Sequence, residues 1–108
     1  MEKVTAGKEQ LGDFAPQFAA FNDDTLFGEV WMQEQVLGAR DLTVITVIDF
    51  IAETNFEQLT FYLKKARDNG VTKEEMVEII TQLTIYSGWS KAWPAFAVAK
   101  KVLESSAL

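Results

Sequence analysis

From Ala39 to Glu53 the chain carries Leu42, Val44, Ile45, Val47, Ile48, Phe50 and Ile51, apolar side chains that cover most of the circumference of a helix. About 15 residues is too long for an ordinary strand, so the segment is predicted helical despite its β-branched content. A helix apolar nearly all round has to be buried nearly all round. The chain has 108 residues, the size of one small domain with a modest core. Such a core cannot easily cover this helix on every side. Part of the helix, or of the helix it packs on, is therefore expected to be covered by a second copy, which predicts a homo-oligomer.

The remaining periodicities are helical, and the fold class read from them is all-α, a small bundle of about six helices in one domain over residues 1–108. Asp13 is placed as the cap of a first helix running to Phe21, with Phe14, Phe18 and Phe21 on one side and Pro16 in its first turn. Asn22-Asp23-Asp24 is expected to break that helix and to cap a short one holding Leu26, Phe27, Glu29 and Val30, ending near Trp31; 33–38 reads as a loop. Asn55 is placed as the cap of a helix through Leu59, Tyr62 and Leu63 to Asn69, with Lys64, Lys65 and Arg67 near its negative end and Gly70 as a left-handed stop. Thr72-Lys73-Glu74-Glu75 is a capping box, and Val71 and Met76 are spaced as a hydrophobic staple. The capped helix is expected to turn Met76, Val77, Ile79, Ile80, Leu83 and Tyr86 inward and to stop at Ser87-Gly88. A last helix is expected from Ser90 to about Leu103, with Pro94 in its first turn and residues 105–108 as a frayed tail.

Composition removes most familiar chemistry. There is no histidine, hence no side chain with an unperturbed pKa between 5 and 8, and no cysteine, hence no disulfide, thiol redox cycle or Cys/His zinc site. Nucleophile arrangements that need a histidine base are excluded as well. A net charge of −6 disfavours nucleic acid and anionic membranes as partners. No apolar run reaches the roughly 18 residues of a membrane span. Residues 1–8 lack the apolar stretch of a signal peptide, so a cytoplasmic location is expected. No D-x-D-x-D-G loop or comparable cluster is present, and no metal or other cofactor is predicted.

Several short stretches recur together in one order: Leu26-Phe27-Gly28-Glu29-Val30-Trp31, Arg40-Asp41, Thr46-Val47, Glu57-Gln58-Leu59, residues 69–75 from Asn69-Gly70 to Glu74-Glu75, and Tyr86-Ser87-Gly88-Trp89. With this spacing the segment from Leu11 to Trp89 resembles the carboxymuconolactone decarboxylase family. The resemblance implies an alkylhydroperoxidase D-like helical subunit built on a helix hairpin and assembled as a trimer or hexamer. It also implies one of two activities, decarboxylation of a carboxylated muconolactone or C-x-x-C thiol chemistry with a following histidine. If the family histidine corresponds to Tyr62, the two cysteine positions fall on Asn55 and Gln58, which excludes the thiol peroxidase route.

Two residues are the catalytic candidates. Glu29, beside Gly28 and near Trp31, would sit against aromatic rings whose desolvation favours a neutral acid able to transfer protons; its alternative is a solvated glutamate at a helix end. Tyr62 offers a phenolic donor where relatives have imidazole, or is simply core packing. Trp31, Tyr86 and Trp89 are the candidate ligand-pocket residues, with core closure as the other reading. Asp49 and Glu53 lie four apart with Thr46 on the same stripe and read as a solvated edge, Arg40-Asp41 as a helix-start pair without a catalytic role, and Lys64-Lys65-Arg67 as a solvated helix end. The function expected is a lyase acting on a small carboxylated lactone or related acid; the rival is an oligomer that binds a small molecule without turnover.

Overall fold

In a computed structural model the chain divides into two compact units, one ending at Ala39 and one beginning at Arg40, and the residues described are 3–32 and 36–104. Six α-helices and one π-helical stretch account for the regular structure, with no strand among the described residues.

The first unit holds α1 (Ala6–Leu11) and α2 (Pro16–Ala20), and α2 runs directly into a π-helical stretch, Phe21–Val30. The predicted break at Asn22-Asp23-Asp24 does not occur. Asp and Asn break helices when their side chains compete for local backbone groups, and here the Asp23 carboxylate is engaged elsewhere. It accepts the Gly7 and Lys8 backbone N–H groups, both at 2.9 Å, and the Asn22 amide at 2.8 Å. Asp23 thus satisfies, from 15 and 16 residues away, two orphan donors at the start of α1 that a cap residue would ordinarily take. Gly7 permits the approach, because a Cβ there would stand 2.6 Å from Asp23 Oδ1. Asp13 is not a cap either; α2 starts on Pro16, whose fixed φ and missing N–H suit a first helical position. The wide π turn is seen where Trp31 N–H donates to Leu26 O at 2.9 Å, five residues back.

Asp23 is almost fully buried. Burial alone would raise its pKa, but the donors from Asn22, Lys8 and Gly7 together hold it below the ordinary 3.8. The sign follows from linkage. A carboxyl whose folded pKa is depressed stabilises fully above its unfolded value and loses that contribution as pH falls through its folded value. Thermal melts taken between pH 6 and pH 2.5 are therefore expected to show wild-type losing, below about pH 4, an increment of stability that Asp23→Asn lacks. Parallel curves for the two proteins would contradict the assignment.

The second unit contains α3 (Ala39–Ala52), α4 (Leu59–Asp68), α5 (Lys73–Ser87) and α6 (Trp89–Glu104). Helix α3 buries one row, Thr43, Val47 and Ile51, and not its whole circumference. Asn55 does not cap α4: its own N–H closes the end of α3 on Phe50 O at 2.8 Å, next to Thr54 at φ 60, and α4 begins four residues later. Gly70 takes φ 97 as predicted, and Val71 N–H returns to Ala66 O at 3.0 Å to close α4. The capping box is complete: Glu75 N–H donates to Thr72 Oγ1 at 3.1 Å and Thr72 N–H to Glu75 Oε1 at 2.9 Å, with Val71 and Met76 both buried beside it.

Helix α5 buries Met76, Ile80 and Thr84, one residue per turn; Ile79 and Leu83 are half-buried, but Val77 and Tyr86 fall off that row and are exposed, contrary to the sequence reading. Gly88 at φ 101 turns the chain straight into α6, which starts at Trp89, so Pro94 lies inside the helix and not in its first turn. The buried seam of α6 is Ala92, Ala95, Ala99 and Val102, small side chains that allow close approach to α4 and α5. Lys91 Nζ donates to Ala52 O at 2.7 Å, supplying a cation to the negative end of α3. Asn69 Nδ2 donates to the buried Thr43 Oγ1 at 2.8 Å and ties the end of α4 to α3.

Candidate functional site

Within the first unit Phe27 and Trp31 are buried and their rings stack with centroids 5.9 Å apart. Trp31 is thus part of a small aromatic core. Glu29, between them in sequence, projects away and is exposed. The unit that carries Glu29 does not itself supply the desolvation expected of a carboxyl held against aromatic rings.

Within the second unit Tyr62 is half-buried on α4, edge-on to Phe50 of α3 and to Phe61, each with centroids 4.9 Å apart. Burial pushes its phenol above the usual value, so the hydroxyl stays protonated and able to donate at neutral pH. Tyr62 lies one turn beyond Gln58, whose carbonyl accepts its N–H at 3.3 Å; Asn55 and Gln58 are both exposed in the α3–α4 connection. Both side chains therefore face water, and amides there can offer hydrogen bonds but no nucleophile.

Tyr86 and Trp89 are both exposed. They stand at the α5–α6 corner, 77% and 68% exposed, because the buried rows of both helices pass on the other side of Gly88. Ile85 and Trp93 extend the same corner. Asp49 and Glu53 form a solvated edge as read from sequence. A hydrogen bond that the protonated Glu53 carboxyl donates to Asp49, and the negative charge of Asp49, nevertheless raise Glu53 above the ordinary carboxyl value. Lys65 is half-buried on α4, and desolvation lowers its ammonium pKa.

A different feature of the second unit escaped the sequence reading. A groove of about 670 Å³ runs between α3 and α5, floored by Val44, Ile45, Ile48, Ile79 and Leu83 and rimmed by Arg40, Asp41, Glu75 and Glu78. Arg40, assigned only a local pairing with Asp41, reaches across and ion-pairs Glu75, so it joins the first turns of the two helices. The Thr72 N–H and the Arg40 guanidinium together hold Glu75 below the usual carboxylate range. With three carboxylates against one guanidinium the rim is net negative and repels a carboxylate ligand. The only advance signal of the groove was the excess of apolar residues on α3, of which Ile45 remains half exposed. Among the described residues no group of three or more acidic side chains is placed to hold a metal ion, and no helix is long and apolar enough to cross a membrane.

Comparison with known proteins adds what the geometry lacks. The model of the carboxymuconolactone decarboxylase family matches residues 16–101. A curated 4-carboxymuconolactone decarboxylase of Acinetobacter baylyi is 29% identical over 101 residues, covering 94% of this chain and 75% of the relative.

Proposed function

We propose that this chain, which belongs to the carboxymuconolactone decarboxylase family, is a homo-oligomeric carbon–carbon lyase that removes carbon dioxide from a small carboxylated lactone or related acid. The observation that carries the reading is the likeness to a 4-carboxymuconolactone decarboxylase across 94% of the chain. In the reaction proposed, the bond between the substrate carboxylate and the ring breaks, carbon dioxide leaves, and the electron pair passes into the conjugated lactone as an enolate. Glu29 gives a proton to the carbon and regains one from water. Tyr62, the other catalytic candidate, would act as a phenolic hydrogen-bond donor to developing negative charge, a role that needs the protonated hydroxyl its burial favours. Trp31 supports the turn that presents Glu29, and Tyr86 and Trp89 offer apolar cover once another copy meets them.

A second reading is favoured by one specific observation: the exposed Glu29, in a chain without histidine, is a weak catalytic set. On that reading the oligomer binds the acid and does not turn it over. An ultraviolet assay of lactone consumption, run beside calorimetric titration of the same lactone, separates the two. Consumption above the protein-free rate is the expected result; saturable binding without consumption would establish the binding role, and neither binding nor consumption would reject the substrate class.

A further inference from the structure

Resting on the homo-oligomer reading, we infer that the α3–α5 groove of one copy receives the exposed stripe of α6 from a second copy, in a head-to-tail contact. Three properties of the groove restrict what can fill it. It is apolar along its floor, it is open, and its charge is graded: Arg40, Asp41 and Glu75 lie at the first turns of α3 and α5 and Glu78 one turn on, while Ile48, Leu83 and the uncharged Gln82 lie at the far end. Because Arg40 pairs with Glu75, the two helices start at the same end of the groove. Lining positions run over two turns on each helix, about 12 Å at the usual helical rise. The occupant must therefore be about two turns long, apolar at one end and basic at the other.

One exposed stripe of this chain has that pattern. On α6 Trp93, Ala97, Lys100 and Lys101 share a face and all are exposed, Trp93 to 72%. Trp93 to Lys101 also spans about 12 Å. Laid antiparallel to α3 and α5, this stripe puts the indole at the apolar end and both ammonium groups beside Asp41, Glu75 and Glu78. It also sets the negative end of α6 against the positive ends of α3 and α5. Helix α4 offers Phe61 and Lys64 only one turn apart, too short to satisfy both ends. Helix-in-groove recognition uses this kind of anchor spacing. Since groove and stripe are different surfaces of one chain, the contact is heterologous, and repetition with the right rotation closes a ring.

Sedimentation velocity on the full chain and on three surface variants, Trp93→Ala, Lys101→Glu and Glu78→Lys, tests the contact, with far-UV circular dichroism confirming that each is folded. All three residues are exposed and none belongs to the catalytic set proposed above. Each variant is expected to weaken assembly about tenfold or more. A double variant carrying both Lys101→Glu and Glu78→Lys, in which every head-to-tail contact again joins opposite charges at any ring size, is expected to return to within about threefold of wild-type. A wild-type assembly indifferent to all three changes, or weakened singly but not restored in the double variant, overturns this contact and leaves the oligomer reading intact. A wild-type monomer at tens of micromolar overturns both.

Discussion

Glu29→Gln is expected to lower kcat for lactone consumption by about 10²–10⁴-fold, the usual contribution of a positioned acid or base, while leaving the melting temperature unchanged within about 2–4 °C. The two halves of that expectation have separate causes. Glutamine keeps the shape and hydrogen-bonding reach of glutamate but cannot deliver a proton, so the step that converts the enolate to product loses its donor. The side chain is exposed on the π-helical stretch, away from the stacked Phe27 and Trp31, so its replacement removes no packing. Exposure is thus what makes the experiment clean. If the wild-type protein turns over and Glu29→Gln turns over equally well, the proton comes from elsewhere, and Glu29 is only a solvated helix residue. Tyr62→Phe provides the contrast. It removes a hydrogen-bond donor to developing negative charge and not the proton source, so it should cost less than the Glu29 change and leave the shape of the pH profile unaltered.

The contrast between the two units shows which parts of this molecule were legible in the residues alone. Signals confined to a few consecutive positions were read with their geometry: the Thr72–Glu75 box, the staple of Val71 and Met76, the left-handed Gly70, and the helical state of 39–52. Those devices depend on neighbours within one turn. What failed depended on contacts beyond the residue's own turn, near or far in sequence. Asn22-Asp23-Asp24 looked like a break because nothing local shows that Asp23 will be drawn to Gly7 and Lys8. Asn55 looked like a cap by residue type, whereas its N–H closes α3 on Phe50 O, five residues back. Burial of α5 was misjudged by reading every apolar residue as inward, when the 3.6-residue period allows one row and leaves Val77 and Tyr86 outside. The candidate site follows the same rule. Glu29 and Tyr62 were nominated by residue type and motif, yet the setting that would give Glu29 its chemistry is not furnished by its own turn of helix, and the α3–α5 groove required two helices far apart in sequence.

Leu63→Ala is expected to destabilise the protein by about 2–5 kcal/mol, a lowering of the melting temperature by about 4–8 °C for each kcal/mol in a domain of this size. Leu63 is fully buried in the inward row of α4, with Leu59 and Ala66 one turn to either side. Its side chain belongs to the same core cluster as Val47 and Ile51 of α3, Met76 and Ile80 of α5, and Ala95 and Ala99 of α6. Truncation removes one methine and two methyl carbons from water-free contact and leaves a cavity that the small residues of the α6 seam cannot fill by rotating. They have no longer side chain to offer, so little of the loss is recovered by relaxation. Domains of this kind are stable by about 5–15 kcal/mol, so the substitution consumes a large part of the margin. Two residues earlier in the same helix, Phe61 is 55% exposed and carries a larger side chain. For the isolated subunit Phe61→Ala should nevertheless cost less than Leu63→Ala, because position in the inward row and not residue size sets the loss. Chemical denaturation of both variants measures this directly, and equal midpoints for the two would mean that the packing of α4 assigned above is wrong.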